Sequence, residues 1–121
     1  MNLPKGSLIL CDIDNTLTTE TCWTEQDCLK ATPNYKIIDW INFQYYQQNT
    51  IIIYTARHES LRQATNYWLK KHEIRFHALR MNKIPCTILV DDKTITPTEL
   101  IRQLEERKIT EPEVKFGGYP Y

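Results

Sequence analysis

The sequence predicts an α/β protein built on a doubly wound, Rossmann-like parallel sheet. Apolar runs of strand length at 7–11, 50–54, 74–79 and 86–90 are rich in Ile, Leu and Val. Helical patterns separate most of them, and parallel neighbours need such crossovers. Polar or acidic residues follow three of the runs directly, at the strand ends where sheets of this kind collect ligands.

The first run, 7–11, is a strand that leads straight into Asp12-Ile13-Asp14-Asn15-Thr16. Residues 17–32 have no sustained period and read as a loop or short hairpin over the sheet edge. Pro33 is placed for a helix start, and Ile37, Ile38, Ile41 and Tyr45 recur at helical spacing within 34–48. The run 50–54 is almost wholly apolar, as is 86–90, which suits strands covered on both faces. Leu61, Ala64, Thr65 and Trp68 mark a helix over 59–72, and 74–79 reads as the third strand. A last helix is expected over 98–107, where Leu100, Ile101 and Leu104 share a face behind Pro97. The segment 110–121 reads as a flexible tail with an edge strand at 113–116.

The 121 residues suit one domain spanning 1–121. Fifteen acidic residues balance fifteen basic ones, so no overall field draws in nucleic acid or an anionic membrane. No apolar stretch reaches the ~20 residues that cross a bilayer, and no export signal opens the chain, which points to a cytoplasmic protein with no membrane partner. Cys11 and Cys86 read as small core residues of a reducing compartment. Five residues separate Cys22 from Cys28, a spacing that matches no usual zinc-ligand pair.

Alternation along an extended chain puts Asp12 and Asp14 on one side, and the fold is expected to bring Asp91 and Asp92 close to them. Carboxylates gathered in that way repel one another unless a hard cation with oxygen ligands joins them, and magnesium is the usual one beside phosphate. Taken singly, Asp14-Asn15-Thr16 is an ordinary turn and Asp91-Asp92 an ordinary loop. Their joint order along the chain is the informative feature.

That order resembles the motif set of the haloacid-dehalogenase superfamily. Asp12-Ile13-Asp14-Asn15-Thr16 is similar to its first motif, Thr55 to the threonine of the second, Lys83 to the lysine of the third, and Asp91-Asp92 to the acidic pair of the fourth. The resemblance implies a phosphomonoesterase in which Asp12 attacks phosphorus and Asp14 protonates the leaving oxygen and then activates water. It implies Mg2+ held by Asp12, the Asp14 carbonyl and Asp91, with Asp92 assisting. It also implies that Thr55 and backbone amides after Asp12 bind phosphoryl oxygens, and that Lys83 stabilises charge on nucleophile and phosphate.

Asn15, Thr16, Ala56 and Arg57 lie beside these positions and are candidate substrate contacts. Trp23, in the loop over the site, is another. Lys93, just past the acidic pair, rivals Lys83, because the family often has Gly-Lys-Pro where this chain has Asn82-Lys83-Ile84-Pro85. The gaps from Thr16 to Thr55 and from Thr55 to Lys83 hold no cap domain, so the chain resembles the capless branch. Its closer likeness, in Ala31-Thr32-Pro33-Asn34 and in 51–57, is to small phosphatases of capsule and polysaccharide biosynthesis.

A sugar phosphate or similar metabolite is the expected substrate, with the site open or closed by a neighbouring subunit of a homo-oligomer. Polynucleotide end processing is the alternative enzyme reading, against which the balanced charge weighs. A receiver-like phosphate-binding module is the non-enzymatic one; receivers place their acidic residues in a different order.

Overall fold

The computed structural model describes residues 3–106. Three strands form one parallel sheet in the order β1-β2-β3: β1 is Leu8–Cys11, β2 is Thr50–Tyr54 and β3 is Ala78–Arg80. Leu8 lies beside Thr50 and Cys11 beside Ile53, while Ile52 lies beside Ala78. The helices are α1 (Glu25–Lys30), α2 (Tyr35–Tyr46), α3 (Arg62–Lys71) and α4 (Pro97–Glu105), with a single 3-10 turn at Glu59–Leu61. The expected α/β class and Rossmann-like parallel sheet are therefore present.

Burial is uneven across the sheet. Cys11, Ile51, Ile53 and Leu79 are buried with Ile37, Ile38, Ile41, Trp68 and Leu69 of the helices, and form the core. On the opposite face Leu8 and Leu10 are exposed and Ile52 and Tyr54 half-buried. The short side chains of Cys11, Cys22 and Cys28 fill this core, and burial pushes the Cys11 thiol up to about 12 and the Cys22 thiol up to about 11. Both therefore stay protonated and unreactive at neutral pH.

Some elements depart from the sequence reading. The loop 17–32 contains α1, whose N-terminus is held by a capping box: Thr24 Oγ1 accepts the Asp27 N–H while Asp27 Oδ2 accepts the Thr24 N–H. Six residues are too few to reveal a period, so only the Thr24/Asp27 spacing announces this helix. The third strand is shorter than the run 74–79, because Ile74 serves the end of α3. Glu73 adopts φ 56°, the Glu73 N–H bonds the Lys70 carbonyl and the Ile74 N–H the Leu69 carbonyl, which is a Schellman cap. Ile74, 4% exposed, is its buried apolar anchor.

Gln48, at φ 68°, closes α2 in the same way. Neither position holds the glycine that this conformation favours. Glu73→Gly is expected to raise stability by up to about 1 kcal/mol in urea unfolding by relieving the left-handed strain.

The largest departure is at 86–90, which forms no strand. From Asn82 to Thr96 the chain has no regular structure, Ile88, Leu89 and Val90 are exposed, and Cys86 lies on the surface rather than in the core. Beyond this arm, Thr96 caps α4 through the Glu99 N–H with Pro97 at its first turn, and Leu100 and Leu104 are buried. The reading of 110–121, with its strand at 113–116, lies outside the described residues. Among the described residues no helix is long and apolar enough to cross a membrane.

Candidate active site

β1 and β2 end side by side, and the side chains at their carboxyl ends meet. Asp12 directly follows β1. Its half-exposed carboxylate lies 3.6 Å from the Lys83 ammonium, which also sits 5.5 Å from the centre of the Tyr54 ring. Lys83 is held there by its backbone: its N–H bonds the Thr55 carbonyl, and the preceding Asn82 N–H bonds the Arg57 carbonyl. Asn82 makes this turn at φ 62°, with its Oδ1 accepting the Glu59 N–H.

After Asp12 the chain closes into a tight turn. The Ile13 carbonyl accepts the N–H groups of Thr16, Leu17 and Thr18, and Asn15 takes φ 59°, a conformation asparagine tolerates well. The Asn15 N–H bonds the Glu20 carbonyl and Thr18 Oγ1, and the Asn15 side chain bonds Thr21. The amides of Asn15 and Thr16 are thus spent on the turn.

Asp14 points into a clamp. Arg57 donates from Nε to Asp14 Oδ2 at 3.1 Å and from Nη2 to Oδ1 at 2.9 Å, and the Cys22 N–H adds a third bond to Oδ1 at 3.0 Å. A carboxylate offers about four acceptor positions, so one is left on Oδ2 for chemistry. Arg57 is itself held by Thr65, whose Oγ1 accepts from Nη1 at 2.9 Å. Burial works against the Arg57 charge, but the hydrogen bonds and charge of Asp14 outweigh it and its pKa is raised. A planar two-pronged pairing fixes both position and angle of the carboxylate.

Several predicted site residues therefore come together: Asp12, Asp14, Thr55, Arg57 and Lys83. Thr55 is fully buried, with Oγ1 accepting the Arg57 N–H, so it shapes the turn after β2. Arg57, read as a substrate contact, is only 5% exposed and turned inward onto Asp14. Thr65 and the Cys22 amide were not singled out in the sequence; an arginine directly behind a buried strand is the signal that points to such a clamp. Ala56 is exposed at the strand end, and Trp23 is 81% exposed beside α1.

Asp91 and Asp92 are not brought to Asp12. Asp91 Oδ1 accepts the Lys93 N–H, and Asp92 lies 3.4 Å from Lys93 Nζ, all on the surface. Between the rival lysines, Lys83 neighbours Asp12 and Lys93 neighbours Asp92. Lys83→Ala is expected to lower phosphate release by about 10²–10³-fold, the scale for a charge beside the reacting group, with Lys93→Ala within about twofold of the parent. Steady-state rates with an aryl phosphate check the ranking.

The implied magnesium does not fit the residues as one chain arranges them. Asp14 is committed to Arg57 and Asp12 to Lys83, and among the described residues no group of three or more His, Cys, Asp or Glu could hold a metal. Six oxygen ligands around a hard cation need more than that.

No family model matches the chain, and no curated protein matches it. Its backbone resembles solved structures. An MCSG target from Vibrio cholerae is 22% identical with a TM-score of 0.66, over 84% of this chain and 98% of that one. A chain of the Pnkp1/Rnl/Hen1 RNA repair complex is 19% identical with a TM-score of 0.57, over 95% of this chain. A second structure of a Pnkp1/Rnl/Hen1 complex gives 18% and 0.56 over 94%. The fold is shared with these chains. This protein spans about a third of the two from the Pnkp1/Rnl/Hen1 complexes, 33% and 36% of their lengths.

Proposed function

We propose that the protein is a phosphomonoesterase that works through an aspartyl-phosphate on Asp12. The observation that carries this reading is the pairing of an accessible carboxylate with a cation, Asp12 with Lys83 at 3.6 Å, beside a second carboxylate fixed by Arg57. A carboxylate oxygen of Asp12 attacks phosphorus while the ester P–O bond breaks. Asp14 enters the cycle protonated at the remaining position on Oδ2 and gives that proton to the departing oxygen. It then takes one from the water that attacks the same phosphorus and releases Asp12. Lys83 balances charge at the nucleophile and phosphoryl group throughout.

Asp14→Asn tests the division of labour. With an activated aryl phosphate, whose leaving group needs no proton, a burst of one equivalent per site is expected, followed by slow hydrolysis. Normal steady-state turnover contradicts the assignment. The reaction class is tested by a phosphate-release screen over aryl phosphates, sugar phosphates and a 3′-phosphorylated oligonucleotide. Turnover of at least one ester, lost in Asp12→Asn, is expected.

A second reading of the substrate, a phosphorylated nucleic-acid end, is favoured by the likeness to chains of an RNA repair complex. The zero net charge favours a small phosphorylated metabolite instead, since backbone binding relies on clustered cations. Preference for the oligonucleotide by at least about tenfold in kcat/KM, a difference of ~1.4 kcal/mol, decides for the nucleic acid.

A further inference from the structure

The segment that carries Trp23 is fastened to the site at several points. The Cys22 N–H bonds Asp14 Oδ1 at 3.0 Å, the Asn15 side chain donates to Thr21 Oγ1 at 2.6 Å, and the Asn15 N–H bonds the Glu20 carbonyl. On the other side the Trp23 N–H bonds Asp27 Oδ2 at 3.3 Å, beside the cap of α1. Covalent geometry from the Cys22 amide then keeps the Trp23 Cα within about 8 Å of the Asp14 carboxylate.

The indole is not used for packing. A residue directly before a capping box ordinarily packs on the fourth residue of the helix as a hydrophobic staple. Here that residue is Cys28, which is fully buried, whereas Trp23 is 81% exposed. A large apolar face shown to water on a fixed backbone suits a ligand with a flat apolar face of its own.

The surrounding charge selects among such ligands. Residues 17–32 hold Glu20, Glu25 and Asp27 against a single cation, Lys30, and the hydroxyls of Thr19 and Thr21 are exposed nearby. Carboxylates and hydroxyls accept hydrogen bonds from sugar hydroxyls, and the acidic excess repels a phosphodiester backbone, which needs clustered cations. The C–H groups on one face of a pyranose carry partial positive charge and meet the negative face of an indole.

We propose that Trp23 is the platform of a sugar subsite: the leaving group of the substrate is a pyranose whose apolar face stacks on the indole while its phosphate lies at Asp12 and Lys83. The subsite stands on the exposure, anchoring and charge of the segment; its tie to turnover rests on the proposed phosphatase reading.

Fluorescence quenching reads the subsite without turnover. Trp40 and Trp68 are 5% and 1% exposed, so acrylamide quenches Trp23 selectively. A panel of hexose phosphates is titrated into Asp12→Asn, which keeps the pocket and lacks the attacking oxygen. At least one is expected to lower the quenching constant by about twofold or more, since stacking covers one face of the ring. Glycerol phosphate, which has no ring, should leave it unchanged. Protection by no hexose phosphate, or only by a 3′-phosphorylated oligonucleotide, overturns the sugar assignment.

Kinetics then test the link to turnover. Trp23→Ala is expected to lower kcat/KM for the protecting hexose phosphate by about tenfold, through KM, with glycerol phosphate within about twofold and Trp23→Phe close to the parent. An equal loss on both esters makes the ring structural and overturns the proposal. A parent that hydrolyses no ester while a hexose phosphate still shields Trp23 counts against the phosphatase reading alone.

Discussion

Asp12→Asn is expected to reduce phosphate release by at least about 10³-fold, the scale on which losing a covalent nucleophile is felt. The substitution keeps the size of the side chain and removes the negative oxygen that attacks. It also leaves the Lys83 ammonium without its partner at 3.6 Å. Because Asp12 is half-exposed, that loss falls in water and costs the fold little. Urea unfolding of the variant should therefore stay within about 1 kcal/mol of the parent, separating a chemical defect from a folding one. Comparable loss of stability and activity would mean that Asp12 is a structural residue.

At Asp14 a large loss of stability is expected as well as a loss of activity. Arg57 is 5% exposed and gives two hydrogen bonds to this carboxylate, so Asp14→Ala strands a buried guanidinium. Breaking a buried pair from one side costs about 3–5 kcal/mol, a large part of the stability of a small domain. The partner substitution should recover much of it: Asp14→Ala with Arg57→Met removes the uncompensated charge and keeps the volume. In a double-mutant cycle the pair is expected to be clearly less destabilised than Asp14→Ala alone. Additive losses would show that the two side chains do not depend on each other.

How far the sequence could be read follows from what each element depends on. β1, β2, α2, α3 and α4 depend on local pattern, and the periods of Ile37, Ile38 and Ile41, or of Leu100 and Leu104, report it directly. Helix α1 is too short to have a period, and its capping box is the only local trace. Ile74 belongs to a run that looks like a strand, yet its backbone is spent closing α3, a use that depends on Glu73 adopting a left-handed conformation.

Site residues divide in the same way. Asp12 and Asp14 are placed by the strand that precedes them, so adjacency in sequence carries over into space. The Arg57–Asp14 pairing joins two strand ends and is visible only once β1 and β2 lie side by side. The expected approach of Asp91 and Asp92 was borrowed from a four-strand arrangement. In the structure 86–90 forms no strand, and both carboxylates stay on the surface beside Lys93.

The central claim is that Asp12 carries the phosphoryl group, and the most direct measurement is to trap it there. An aryl phosphate labelled at phosphorus is mixed with the Asp14→Asn variant, quenched in acid within the burst and digested for peptide mapping. The label is expected on the peptide containing Asp12, lost on brief treatment at alkaline pH as acyl phosphates are, and absent from Asp12→Asn. Label on a serine or histidine, or steady turnover by the parent with no label on any peptide, would contradict the account.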